Sequence, residues 1–465
     1  MIKKELLEEV LRIAGGGNNF AEIFVENKIM NSYVLIGGKI DSAISGIDCG
    51  LGIRIIKDLK SIYLYTNDLS RANLINLAKE GAIAVENDLP MDNITLNREI
   101  VSNNHKIIKP IANIKAKEKI DLLKIVYNAS KGVSKMISQV ASNYNDYTQN
   151  IIIANSEGLY KEDARTRVRL SFQAVAEKNG EKQVSFEGPG GHCGFEFFDN
   201  IEDIKNLAIS NSNIALRMLD AKYCPSGKMP VIIENGFGGV IFHEACGHSL
   251  EATSVAKGHS VFSGRLNDTI ASNCVTAIDD GTIQNAWGSA NIDDEGMETQ
   301  KNILIENGIL KNYLVDKLGG LRMNMKPNGC SRRESYRFAP TSRMSNTYIK
   351  AGKSSLKEMT QGIPYGLYAK KMGGGSVDPS TGAFNFAVTE GYLIRNGEIL
   401  EPVRGATLIG KGEEILKRID MVGKNMEFGQ GMCGSASGSI PANVGQPAIR
   451  VSEITVGGRK EHDNE

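Results

Sequence analysis

Residues 239 to 252 read "GVIFHEACGHSLEA" and place His243, Glu244 and His248 within six positions of a 465-residue chain that has six histidines in all. Two neutral imidazoles can ligate a divalent metal, and a neighbouring carboxylate can take a proton from water beside it, which is the minimum equipment of a hydrolytic metal site. In the familiar HExxH pattern the histidines lie four apart and share a helix face. Here they lie five apart, so a regular helix separates them by about 140° around its axis. Convergence therefore demands either a one-residue π-bulge or a helix break at Gly247 that turns His248 back. The alternative is two histidines on different faces, one in the core and one in solvent, with Glu244 exposed. A third protein ligand has three sources: His259, Cys246 and Cys433, the last set among glycines in "GQGMCGSASGSIPANVGQP".

The elements that must hold these residues come in blocks rather than in strict β-α alternation, which predicts an α+β fold. An amphipathic helix over 3–14 opens the chain. The runs "AEIFVEN", "NSYVLIG", "GLGIRII" and "SIYLYT" predict a meander of short antiparallel strands. Helices are expected from an Asp68 cap to about Val85, over 116–139 and over 202–220. "NIIIANSEG" and "RVRLSFQAVAE" read as further strands. A proline- and glycine-bearing stretch, "AKYCPSGKMP", divides the chain into an N-terminal α+β domain (1–222), a mixed antiparallel sheet with helices, and a C-terminal β-rich domain (223–465) carrying the His-Glu helix. In the second domain "NILIENGILKNYL" and "GYLIRNGEILEPV" each set Asn-Gly between alternating apolar runs, the type I′ hairpin pattern. With strands expected at 229–234, 345–350, 384–389 and 447–456, this domain is predicted to be a twisted sheet or barrel. "KKMGGGSVDPS" lacks the Lys-Ser ending of a phosphate loop, and Gly373 to Gly375 are expected to form a flexible loop over a substrate. There is no internal repeat, and the polar tail "GGRKEHDNE" is the one low-complexity stretch.

Lysine plus arginine and aspartate plus glutamate both total 54, so no net field favours nucleic acid or an anionic membrane. The charged N-terminus lacks a signal-peptide core, and no uninterrupted apolar run approaches the ~18 residues of a membrane span. Seven scattered cysteines without a CxxC pair argue for reduced thiols. A cytoplasmic protein is expected.

Several segments together resemble the TldD/PmbA family of zinc metallopeptidases: "FHEACGHSLEA", "SVFSGRL", "DDGTIQNAWGSANIDDEGMETQ", "SRRESYRFAPTSRMSNTYI", "GGGSVDPSTGAFNF" and "GMCGSASGSIPANVGQP", in that order between residues 242 and 447. The resemblance implies a TldD-type subunit, since the PmbA (TldE) companion lacks the H-E-x-x-x-H ligands. It implies one Zn2+ per chain on His243, His248 and Cys433, with Glu244 as the catalytic glutamate. It further implies peptide substrates, short or unfolded, with precursor peptides among them, and a homodimer or a heterodimer with a PmbA/TldE-like subunit. The competing reading is a non-catalytic scaffold with a structural metal and a fourth protein ligand. Tyr336, Arg337, Arg343 and Asn346 fall in the family's polar segment and are expected to touch substrate. The alternative for those arginines is pairing with the acidic loop Asp293 to Glu295. Phe338 departs from the family, where histidine is expected.

Overall fold

The structure is a computed structural model that describes residues 2–16, 19–86, 90–91, 93–378 and 381–459. The end of the polar tail, 460–465, lies outside the described residues. The N-terminal half is built on long antiparallel strands. Strand Phe20–Ile36 pairs with Lys39–Lys57 on one side and with Ile137–Asn155 on the other. Leu159–Lys178 continues the sheet beyond Ile137–Asn155. The expected short runs "AEIFVEN" and "NSYVLIG" are thus one strand of 17 residues. The residues between them, Lys28, Ile29 and Met30, sit where the sheet is partly open to solvent, and ladders on both sides satisfy their backbone regardless of side chain.

Four helices cover this sheet. Leu7, Val10, Leu11 and Ala14 form one stripe of helix Lys4–Ala14 and bury it with helix Arg71–Ala84 against strand residues Ile23, Ile53 and Ile55. Helices Ala116–Lys131 and Ile201–Asp220 cover the other end around Tyr144, Leu170 and Phe172. Two boundaries differ from expectation. Ser70, not Asp68, occupies the cap position of the second helix, and Asp68 accepts a hydrogen bond from the Ser70 N–H at 2.9 Å. The third helix stops at Lys131, because the apolar residues beyond Gly132 belong to a strand that begins at Ile137 and pairs with Ala176.

In the C-terminal half, strands Gly227–Ile233, Ile449–Gly457, Ala406–Lys411, Ala383–Arg395 and Tyr365–Val377 pair in a closed circle. They make a five-stranded barrel with one parallel seam, between Gly227–Ile233 and Tyr365–Val377. Both Asn-Gly hairpins form: Asn307 and Gly308, like Asn396 and Gly397, take the positive φ that a type I′ turn requires. Gly373 to Gly375 are not a loop. They continue strand Tyr365–Val377, where register shifts accommodate them, and a Cβ on Gly375 would stand 2.1 Å from the Asn385 carbonyl oxygen. A second sheet runs through Lys301–Glu306, Ala277–Asp280, Asn346–Ile349, Gly438–Gln446 and Glu427–Ser435. Helix Val240–Ala245 is wedged between barrel and second sheet, in the largest apolar core of the molecule.

The halves are clasped by buried ion pairs. Arg54 bridges Glu22 at 3.0 Å and Glu295 at 2.5 Å; Arg165 reaches Asp294 at 2.6 Å; Arg333 reaches Glu22 at 2.5 Å. The acidic loop Asp293 to Glu295 thus binds arginines, but chiefly those of the N-terminal sheet.

Candidate metal centre

The His-Glu helix ends early. Val240–Ala245 is α-helical, Cys246 leaves the helical region at φ −131 and ψ −46, and Gly247–Leu250 resumes as a 3₁₀ turn. The break, not a π-bulge, swings His248 back toward His243, and the pivot is Cys246. Gly247 contributes space: a Cβ there would stand 2.1 Å from the Met344 sulfur.

Strand Glu427–Ser435 brings Cys433 to the same point. Its Sγ lies 3.2 Å from His243 Nε2 and 3.3 Å from His248 Nε2, and the three donor atoms fall within 4.8 Å of one another. Zinc held tetrahedrally with ordinary bond lengths separates sulfur and nitrogen ligands by about 3.5 Å, so the donor set fits a zinc ion with small adjustments. Burial alone would push the Cys433 thiol up, but the charge and hydrogen bonds of the His243 and His248 rings override it and bring it down to about 3. Burial likewise disfavours a charged His248, yet Glu251 and Cys433 hold its proton affinity well above the usual range. A metal arriving here displaces that proton.

Two further residues complete the centre. Glu251, 4% exposed, faces His248 Nδ1 at 3.1 Å. A carboxylate there makes Nδ1 the donor and leaves the Nε2 lone pair directed at the ligand cluster. Sequence reasoning passed over Glu251, although a glutamate three residues after a candidate ligand is the signal that finds it. Arg343 is fully buried and donates to the Cys433 carbonyl at 2.5 Å, to Ser437 Oγ at 2.9 Å and to the Gly438 carbonyl at 3.1 Å. Its guanidinium holds the hairpin that carries Cys433, with Glu251 3.9 Å from its Nε.

Glu244 is partly exposed, its carboxylate 3.7 Å from His248 Nε2. With His243 and Cys433 it lines a cleft of about 860 Å3, walled by Phe237 and Gly429 on one side and by Lys371 and Gly373 on another, with Arg169 and Phe186 contributed by the N-terminal half. The remaining candidates are elsewhere. His259 is exposed and outside the ligand cluster, and Cys246 is buried among Ile349, Ile415 and Leu416. Tyr336 is buried, donating its N–H to Glu26 at 2.7 Å. Arg337 pairs with Asp48 at 2.5 Å, and half-buried Phe338 follows it. Asn346 is buried and donates to the Asp280 carbonyl and to Ser289 Oγ. Of the four residues expected at a substrate, only Arg343 reaches the ligand cluster, and it does so through the Cys433 backbone.

Fold and site together define an α+β protein in which His243, His248 and Cys433 converge, as a group that could hold a metal, beside an open cleft. Domains described as PmbA/TldA metallopeptidase domain 1, central domain and C-terminal domain match residues 21–87, 109–219 and 226–458. The chain belongs to the PmbA/TldD family of metallopeptidases. It is 35% identical over 448 residues to a metalloprotease TldD homolog of Buchnera aphidicola, covering 95% of this chain and 93% of that one. A zinc metalloprotease TldD homolog of Saccharolobus solfataricus is 33% identical over 265 residues, 57% of this chain and 58% of that one. Among solved structures, a protein of Thermotoga maritima described as a modulator of a DNA gyrase superposes with a TM-score of 0.80 at 20% identity, covering 98% of this chain and 100% of that one. TldE of Thermococcus kodakarensis gives 0.76 at 17% identity, covering 97% and 100%. These likenesses carry the fold.

Proposed function

We propose that the chain is a zinc-dependent peptidase acting on short or unfolded peptides. The observation that carries this reading is the convergence of His243, His248 and Cys433 beside Glu244 at the wall of an open cleft. Three protein ligands and an accessible side are the arrangement of catalytic rather than structural zinc, which closes its shell with four. Bound there, zinc would polarise a peptide carbonyl and acidify water. The chain's own part follows from position. Glu244 takes a proton from the attacking water and returns it to the leaving amine. Glu251 keeps the His248 ring aimed, and Arg343 keeps the Cys433 hairpin in place. An extended peptide lies along the glycine stretch of strand Tyr365–Val377, where backbone approaches backbone.

A partner subunit of the same family is part of the proposal, supported by the fold shared with a TldE. No described helix is long and apolar enough to cross a membrane; a cytoplasmic site of action is a further part of the proposal. The test compares zinc content and cleavage of an unfolded casein-like substrate in the parent, Glu244→Gln and Cys433→Ala. Glu244→Gln should hold one zinc per chain and lose about 10²–10⁴-fold in rate; Cys433→Ala should lose the metal. Full activity in Glu244→Gln would remove the reading.

A further inference from the structure

A second cavity, of about 320 Å3, lies between the N-terminal sheet and the C-terminal half, with Met432 lining both it and the cleft. Its walls carry Lys28, Arg165, Arg167, Arg332 and Arg333 against Asp293, Asp294 and Glu334. Every acid is already committed. Asp294 accepts from Arg165 Nη1 at 2.6 Å and from the Arg333 N–H at 2.6 Å. Asp293 accepts three backbone N–H groups, those of Glu295, Met297 and Ser331. Glu334 accepts from the Ser439 N–H at 2.7 Å. Arg165 and Arg333 are neutralised by these groups together with Asp163 and Glu22.

Arg167 and Arg332 are left over. Among the described residues neither makes an ion pair. Arg167, 3% exposed, donates only to neutral acceptors: the carbonyls of Trp287 at 3.0 Å and Ser289 at 2.6 Å, and the Tyr147 hydroxyl at 3.4 Å. Arg332 makes a single hydrogen bond, from Nη1 to the Met344 carbonyl at 2.7 Å. Its Nε and Nη2 have no protein partner, yet they are not sealed off, and the free space beside them is the cavity. Burial and the neighbouring Arg167 charge push the Arg332 guanidinium down to about 10, although Asp294 and Asp279 pull the other way; Asp279 makes no ion pair with it and accepts instead from Ser345 and Thr347. Half-buried, with two donors idle and no carboxylate within ion-pair distance, this cation gains from a counter-charge that joins it.

We propose that this cavity is an oxyanion site in which Arg332, backed by Arg167, holds one carboxylate or phosphate group. A guanidinium fork matches the paired oxygens of either group. The volume suits a small anion with a few waters. The group arrives either as a free anion or as the C-terminal carboxylate of a peptide passing Met432. The site does not depend on the proposed peptidase reading.

The probes are inorganic phosphate and acetate, titrated calorimetrically into the full-length protein at constant ionic strength. Saturable binding of both is expected. Arg332→Met should weaken it at least ~10-fold, the loss of a charge-assisted pair. Lys28→Gln, a milder change at the rim, should weaken it about threefold and keeps the test decisive if Arg332→Met folds poorly. An N-acetyl tripeptide with a free C-terminus, set against its amide, separates the sources: displacement of phosphate by the acid alone assigns a peptide terminus, and displacement by neither assigns a free anion. Absence of saturable binding in the parent, or equal affinity in parent and both variants, would overturn the proposal.

Discussion

Glu251 stands 3.1 Å from His248 Nδ1 while the other nitrogen of the same ring, Nε2, lies 3.3 Å from Cys433 Sγ. One imidazole thereby links a buried carboxylate to the ligand cluster. Removing the carboxylate frees the ring to rotate and to choose the other tautomer. Glu251→Ala should therefore weaken zinc binding about 10–100-fold with secondary structure intact, measured by competition with a chromophoric chelator. Unchanged affinity would mean that packing alone aims His248.

Gly247 is fixed by space rather than by backbone conformation. Since a Cβ would meet the Met344 sulfur at 2.1 Å, Gly247→Ala should cost about 1–3 kcal/mol in denaturant unfolding. Met344→Ala in the same chain should relieve part of that clash, so the double variant should bind zinc better than Gly247→Ala alone. Additive losses would exclude the contact as the cause.

Arg54 joins the two halves through Glu22 and Glu295, all three almost without solvent exposure. Arg54→Met leaves Glu295 without a counter-charge in the interior and Glu22 with Arg333 alone, and should destabilise the protein by about 3–5 kcal/mol. Urea unfolding followed by far-ultraviolet circular dichroism reads the effect, and a shift below 1 kcal/mol would show that the pair is dispensable.

His105 and His192 stack with ring centroids 4.1 Å apart at the junction of the halves, where His105 Nδ1 accepts from the Asn285 N–H. Burial, aided by Arg167, pushes His105 down to about 4, and His192 is lowered too. Protons therefore bind the unfolded chain first. The contribution of these two rings to stability should be complete above about pH 6.5, fall as the pH drops from there toward about 4, and recover on neutralisation. Melting temperatures across that window test this: His105→Gln should be less stable at neutral pH yet show a shallower acid decline, and an identical slope would assign the decline to other groups.

Much of the architecture is legible in short patterns. The stripe at Leu7, Val10, Leu11 and Ala14, and the Asn-Gly pairs at 307 and 396, depend on neighbours only a few residues away, so periodicity and turn chemistry suffice to read them. The 17-residue strand from Phe20 and the strand through Gly373 to Gly375 resisted reading because long-range ladders supply what their local composition does not. Barrel closure likewise rests on the pairing of Gly227–Ile233 with Tyr365–Val377, separated by more than a hundred residues.

At the centre the division is just as physical. By itself the sequence determined the donor inventory: His243, Glu244 and His248 in one segment, a spacing that rules out a straight helix, and a cysteine among glycines far downstream. Only tertiary structure decided that the break falls at Cys246, that Cys433 rather than His259 meets the two imidazoles, and that Glu251 and Arg343 brace them. Ligand identity is a property of side-chain chemistry and survives in the linear chain, whereas convergence is a property of distance, which two sheets and a barrel must fold to create.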